Sequence, residues 1–180
     1  LGGLGGDTIS LKNGVDTVLG DNGVVELDAE GNKFARVATV SRASTGGAIV
    51  DLGGDDVITG LSGNKIVLGG DGADTIRLGD AAALGTSDHI VLGDNGIVTY
   101  VAMGQTGAGN VQKFETTDTL LASSVGGTAG GNSTTLGDVI TVTGDGDNTI
   151  LGGLGADTIT LKNGTDTVIG DNGVVELDAA

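Results

Sequence analysis

The chain has 180 residues, of which 37 are glycine, and it contains no Pro, Cys or Trp. Its 24 acidic and 8 basic side chains give a net charge of −16, which excludes nucleic acid and anionic membranes as favourable partners. One Tyr and two Phe supply too few large side chains for an ordinary globular core. We therefore expect a core of stacked Ile, Val and Leu rows. No apolar run is long enough for a transmembrane segment.

One nine-residue pattern occurs three times along the chain. Residues 2–10, 69–77 and 152–160 each match Gly-Gly-x-Gly-x-Asp-x-apolar-x at every specified position. Glycine permits tight turns that present main-chain carbonyl oxygens, the aspartate adds a carboxylate, and the apolar residue points into a core. Ligand sets made only of carbonyl and carboxylate oxygens favour Ca²⁺ over transition metals. The pattern therefore predicts calcium-binding turns, each followed by a short strand.

Other elements are predicted around these turns. Strands are expected at 8–11, 75–78 and 158–161, and a further alternating run lies at 33–40. Gly-Asp-Asn-Gly tetrads follow at 20–23, 93–96 and 170–173. Each tetrad has two interpretations: a plain turn, or an aspartate that caps the last ion of a run. The tetrad aspartates are Asp21, Asp94 and Asp171.

The chain also contains a longer repeat. Residues 1–28 and 151–178 differ only at positions 6/156, 10/160, 15/165 and 19/169. This predicts the tail of one module (1–28) and two full modules (29–101 and 102–178), excerpted from a longer array because neither end has a polar cap. The first parts of the full modules, about 29–50 and 102–134, lack the pattern and are predicted as longer irregular coils or β-hairpins. A bulging loop is expected at 81–86.

The sixth position of the pattern, the aspartate slot, distinguishes two sides. If two nonapeptides form one coil, Asp56 stacks on Asp74 and Asp138 on Asp157, while Lys65 stacks on His89 and Asn148 on Asp166. We expect calcium on the first side, none at Lys65/His89, where the Lys65 ammonium replaces an ion, and weaker binding at Asn148/Asp166. The alternative is repeat drift without consequence. A single His and no Cys cannot form a transition-metal site, so His89 is predicted to be structural or exposed.

These residues resemble the repeats-in-toxin, or haemolysin-type, calcium-binding repeat. The resemblance covers roughly the motif-bearing half of the chain. It implies an all-β fold, a right-handed parallel β-roll or β-solenoid in which ions sit between stacked turns. Toxins, proteases, adhesins and surface-layer proteins share the repeat, so it identifies a scaffold and not an activity.

The predicted ligands combine carboxylates and carbonyls. The slot carboxylates are Asp7, Asp16, Asp56, Asp74, Asp138, Asp157 and Asp166, and the tetrad carboxylates are Asp21, Asp94 and Asp171. Carbonyl oxygens are expected from Gly2, Leu4, Gly69, Asp71, Gly152 and Leu154.

The predicted function is a calcium-binding structural region of a large secreted or cell-surface protein, such as a filament, adhesin or matrix component. Catalysis is not expected, because the chain lacks Cys and has one His. Two alternatives are a ligand-binding face of an adhesin and a calcium-triggered secretion or folding module attached to a toxin or extracellular enzyme. Copies of the chain itself, in a filament or surface layer, are the candidate protein partner.

Overall fold

A computed structural model describes residues 1–40, 42–45, 48–51, 53–79, 86–117 and 137–178. All regular elements in these ranges are β-strands. In chain order they are β1 (Thr8–Leu11), β2 (Asp16–Leu19), β3 (Gly23–Leu27), β4 (Phe34–Thr39), β5 (Arg42–Thr45), β6 (Ala48–Asp51), β7 (Val57–Gly60), β8 (Lys65–Leu68), β9 (Thr75–Leu78), β10 (Ile90–Leu92), β11 (Gly96–Tyr100), β12 (Val111–Thr116), β13 (Val139–Val142), β14 (Thr149–Leu151), β15 (Thr158–Thr160), β16 (Thr167–Ile169) and β17 (Val174–Glu176).

Two parallel five-stranded sheets contain the repeat motifs. The first has the order β1-β7-β9-β13-β15, and the second has the order β2-β8-β10-β14-β16. Each strand of the first sheet is followed along the chain by a strand of the second, and both sheets add strands in the same order. We number these strand pairs 1 to 5, so that pair 1 is β1 with β2 and pair 5 is β15 with β16.

Alternating side chains explain which face of the first sheet is buried. In β9, Ile76 and Leu78 are buried while Arg77 is exposed. Ile58 and Ile140 lie in register on either side of Ile76, which creates a continuous apolar row. This row packs against the second sheet. The buried residues of the inter-sheet core are Val18, Ile58, Val67, Ile76, Leu78, Val91, Ile140, Val142 and Ile150.

The second parallel sheet has buried apolar side chains on both of its faces. In β8, Val67 belongs to the inter-sheet core, whereas Leu68 belongs to a second core on the opposite face. An antiparallel sheet of order β3-β4-β11-β12-β17 supplies the other half of that core with residues that include Val37, Val98 and Phe114. The nonapeptide pattern does not predict this antiparallel sheet. It forms because the second sheet would otherwise expose a row of leucines to water.

The structure confirms the all-β class. The expected strands at 8–11, 75–78 and 158–161 correspond to β1, β9 and β15. The alternating run at 33–40 contains β4, which pairs antiparallel with β3 and β11. Strands β5 and β6 form an antiparallel two-stranded sheet, so the hairpin alternative describes this segment. Residues 81–85 and 118–134, where a loop and part of a longer coil were expected, lie outside the described residues. The module boundaries remain a prediction.

Ile76 tests the inter-sheet core. Replacing Ile76 with Ala removes a fully buried side chain between two sheets, and we expect the free energy of unfolding to fall by about 2–5 kcal/mol. Urea denaturation measures the change. Val57→Ala in the neighbouring strand β7 is the control, because the Val57 side chain is 37% exposed. This substitution should lower the free energy of unfolding by less than about 1 kcal/mol. Equal losses in the two variants would contradict this core assignment.

Candidate calcium-binding rows

A row of five aspartates lies at the start of the first parallel sheet. Each residue directly precedes one strand of that sheet. We call Asp7, Asp56, Asp74, Asp138 and Asp157 the first row. The sequence predicted that Asp56 stacks on Asp74 and Asp138 on Asp157, and the structure brings both pairs together. It also joins the pairs into one column and adds Asp7.

Hydrogen bonds connect the first row along its whole length. The N–H of Asp7 donates to Asp56 Oδ1 at 2.6 Å, and the N–H of Asp56 donates to Asp74 Oδ1 at 2.8 Å. The same contact joins Asp74 to Asp138 at 2.7 Å and Asp138 to Asp157 at 2.9 Å. One carboxylate oxygen of each acceptor is therefore committed to the neighbouring main chain.

The second carboxylate oxygen has a different environment. Oδ2 of Asp7, Asp56, Asp74 and Asp157 is buried and has no hydrogen-bond partner among the described residues. Burying an acceptor without a partner costs about 1–3 kcal/mol, and more when it is charged. Four such atoms in one row indicate that a group outside the polypeptide completes the site.

Glycines leave space beside each Oδ2 atom. Gly20 is an example, because a Cβ there would collide with both Asp56 Oδ2 and the carbonyl oxygen of Gly69. The same pair of obstacles, one slot Oδ2 and one glycine carbonyl, surrounds five glycines. They are Gly2, Gly20, Gly69, Gly93 and Gly152. Each aspartate of the row therefore contributes to one cradle of a carboxylate and a carbonyl oxygen that a side chain would fill.

The second glycine of each nonapeptide shapes the turn. Gly3, Gly70 and Gly153 have φ angles of 116°, 121° and 106°, a region that residues with a Cβ rarely adopt. At Gly70 and Gly153 a Cβ would also collide with the tetrad aspartates Asp21 and Asp94. At Gly70 and Gly153 glycine is required both by the φ angle and by the close approach of a tetrad aspartate, whereas at Gly3 it is required by the φ angle alone.

Like charges crowd the first row. Burial, reinforced by the carboxylates of Asp138 and Asp56, raises the pKa of Asp74 from 3.8 to about 9. Burial also raises the pKa of Asp56 and of Asp157. These shifts arise mainly because burial removes water from the charged form. A divalent cation beside Oδ2 would reverse the effect and favour the carboxylate.

The donor set fits calcium. No three His, Cys, Asp or Glu side chains of the described residues converge on a metal position, so an ion in the first row needs main-chain carbonyl oxygens as well as carboxylates. Mixed oxygen ligands in flexible geometry are those that Ca²⁺ takes, whereas transition metals prefer nitrogen or sulfur. The residues that would hold Ca²⁺ are the aspartates of the first row and the cradle glycines.

The slot positions of the second sheet form a second row with other chemistry. It consists of Asp16, Lys65, His89, Asn148 and Asp166, each at or directly before the start of a strand. The N–H of Lys65 donates to His89 Nδ1 at 3.2 Å, and the N–H of Asn148 donates to Asp166 Oδ1 at 2.9 Å. The two stacked pairs expected from sequence are therefore in contact. The main-chain N–H of His89 links the two pairs by donating to Asn148 Oδ1 at 3.1 Å.

Two predicted ligands, Asp16 and Asp166, lie in this second row and not beside the glycine cradles. Asp16 Oδ2 pairs with Lys65 Nζ at 3.0 Å. Asp166 Oδ1 also accepts Asn148 Nδ2 at 2.9 Å. His89 is 1% exposed, so of its two predicted states the buried structural one is found.

The tetrad aspartates contact the turn of the following nonapeptide. Asp21 Oδ2 accepts the N–H of Asp71 at 2.6 Å, and Asp94 Oδ2 accepts the N–H of Leu154. Asp71 Oδ1 in turn accepts Asn95 Nδ2 at 2.6 Å. The carboxylates of the first two tetrads therefore hold the next turn in place, and capping of an ion by the tetrad aspartates remains a prediction. Asp171, the third tetrad aspartate, is exposed.

The remaining predicted ligands divide into two groups. Gly2, Gly69 and Gly152 line cradles of the first row, whereas Leu4 is 66% exposed. Sequence reasoning missed Gly20 and Gly93, which were assigned only to tetrads. The available signal was the preceding Val-Leu, which also precedes Gly69, so all three glycines end a strand of the second sheet in the same way.

Comparison with known proteins agrees with this chemistry. Residues 49–81 and 142–174 match the RTX calcium-binding nonapeptide repeat family, with four copies in the chain. Binding of Ca²⁺ is a property of these repeats, so the chain contains a Ca²⁺-binding repeat region. No curated protein and no solved structure shows a significant match. The described residues include no helix long and apolar enough to cross a membrane.

Asp74 gives the calcium-free fold a defined pH dependence. Its folded pKa of about 9 exceeds the unfolded value of 3.8, so folding favours the protonated form, and the associated stability is lost as pH rises through 9. In chelator, the melting temperature should therefore fall between about pH 7.5 and pH 9, a range above the pKa values of unperturbed Asp and His. Calcium should bind more tightly across the same range because it displaces a proton. Chelated protein with a flat melting profile would contradict the Asp74 environment.

Substitution of Asp74 separates the two states of the row. Asp74→Asn keeps a side-chain oxygen that accepts the Asp56 N–H, but it cannot ionise. In chelator, the melting temperature of this variant should therefore equal or exceed that of the wild type. Calcium affinity should fall by roughly tenfold or more, about 1.4 kcal/mol, because a carboxylate ligand is lost. Calorimetric titration and thermal melts measure both effects. Asp178→Asn makes the same charge change at an exposed position and should alter neither. Unchanged calcium affinity in Asp74→Asn would exclude Asp74 as a ligand.

Proposed function

We propose that this chain is a calcium-stabilised structural region of a large secreted or cell-surface protein. In this proposal, Ca²⁺ ions lie along the first row and hold the strand pairs together as a parallel β-roll. The observation that carries the proposal is the repeated cradle, in which a buried slot Oδ2 and a glycine carbonyl converge at Gly2, Gly20, Gly69, Gly93 and Gly152. The strict alternation of strands between two parallel sheets supports the β-roll.

Calcium would act on folding and not on a substrate. Without an ion, the stack buries carboxylates next to carbonyl oxygens, and the free energy of that burial opposes folding. An ion that binds only the folded chain stabilises it by mass action. Extracellular calcium-binding modules commonly bind at roughly 10⁻⁴–10⁻³ M, which would tie the folded state to the outside of the cell. Proteins with this repeat are typically secreted by bacteria, which supports the same location.

We infer a structural role and no catalysis within these residues. The sole His is buried and bonded through Nδ1 to the main chain of Lys65, so it is not available to a substrate. The buried carboxylates belong to a periodic row and not to one cleft. Both features suit a region that transmits force or spaces other parts of a protein.

Chelation tests the proposed function. We expect far-ultraviolet circular dichroism to show loss of β-structure, or a melting temperature lower by more than about 10 °C, when chelator replaces calcium. Magnesium at equal concentration is the matched control. It should restore little of the β-structure or of the melting temperature, because it requires near-ideal octahedral geometry and keeps its water ligands. An identical melting temperature with calcium and with chelator would reject the proposal.

A further inference from the structure

The second row contains a buried ammonium in an oxygen cage. Lys65 is 0% exposed, although lysine is almost never fully buried unless it is paired. Its Nζ donates to the carbonyl oxygens of Gly14, Ser62 at 3.1 Å and Gly63 at 3.2 Å, and it pairs with Asp16 Oδ2 at 3.0 Å. Three carbonyls and one carboxylate around one positive centre form a cation site made by the turns of pairs 1 and 2.

A neutral donor makes comparable contacts between pairs 4 and 5. Asn148 Nδ2 donates to the carbonyl oxygen of Gly146 at 2.9 Å and to Asp166 Oδ1 at 2.9 Å. Gly146 lies two residues before Asn148, as Gly63 lies two residues before Lys65. A side-chain N–H group therefore contacts the equivalent carbonyl and a slot aspartate of the adjacent pair in both cases.

We propose that Lys65 is a tethered cation that occupies a calcium-type cage in the second row and makes the contact between pairs 1 and 2 independent of calcium. The ammonium is bonded to the chain, so it neutralises Asp16 and satisfies the three carbonyls at any calcium concentration. A calcium ion in the same cage would face a positive charge at a few ångströms, which is strongly unfavourable in a buried site.

The two turn rows then have separate roles. The first row would respond to calcium through its aspartates, whereas the second row would be held by Lys65, His89 and Asn148 through side-chain nitrogen atoms. The comparison with a calcium cage rests on the proposed function. The stabilising contacts of Lys65 do not, because they can be measured in calcium-free protein.

Three variants of the full chain test the proposal. Lys65→Met keeps the length of the side chain but removes the charge and the donors, and Lys65→Asp offers a carboxylate to the emptied cage. Lys33→Met is the matched control, since Lys33 Nζ donates to the Ala108 carbonyl at 2.8 Å on the exposed surface. Thermal melts in chelator and in calcium, together with calorimetric counting of bound calcium, are measured for all of them and for the wild type.

Lys65→Met should lower the melting temperature in chelator by on the order of 10 °C relative to Lys33→Met, and calcium should not reverse this difference. Lys65→Asp should bind one more calcium ion than the wild type and regain stability when calcium is added. Equal melting temperatures of Lys65→Met and Lys33→Met in chelator would overturn the proposal, as would an unchanged ion count in folded Lys65→Asp. Absence of calcium binding by the wild type would instead reject the proposed function, while the chelator comparison would still decide the role of Lys65.

Discussion

Stacked turns place oxygen atoms against oxygen atoms, and this convergence of negative charge is the constraint on which the fold depends. Parallel strands require each turn to lie directly over the preceding one, about 4.8 Å away. The turns present glycine carbonyls and slot carboxylates to that interface, and burial raises the pKa of Asp74 to about 9. Every interval therefore needs a positive or hydrogen-bond-donating partner.

The chain uses two kinds of partner for this purpose. Along the first row, the buried Oδ2 atoms of Asp7, Asp56, Asp74 and Asp157 have no partner among the described residues, and calcium is the proposed one. Along the second row, the chain supplies its own donors, from the Lys65 ammonium to the Asn148 amide. An array built this way would combine a first row that depends on calcium with a second row that does not. The second row would keep neighbouring strand pairs in register while calcium ions bind along the first row.

The sequence predicts the repeat better than its surroundings. Glycine spacing and the slot aspartates predict the turns, and the periodic Ile predicts β1, β9 and β15, because these follow from local conformation and alternation. Lys65 can be recognised in the sequence as a positive charge at a position where the pattern has aspartate. Its cage requires Gly14, 51 residues away, which local patterns cannot place. The antiparallel sheet was missed although Val67-Leu68 carries a signal for it, since two adjacent buried apolar residues require cover on both faces.

The most direct test is a crystal structure grown with calcium, with the ions located by anomalous scattering. The account predicts peaks along the first row, about 2.3–2.6 Å from slot Oδ2 atoms and glycine carbonyl oxygens, with none inside the Lys65 cage. A first row without ions at saturating calcium, or an ion bound beside Lys65 Nζ, would contradict the claim that calcium stabilises the first row while side chains stabilise the second.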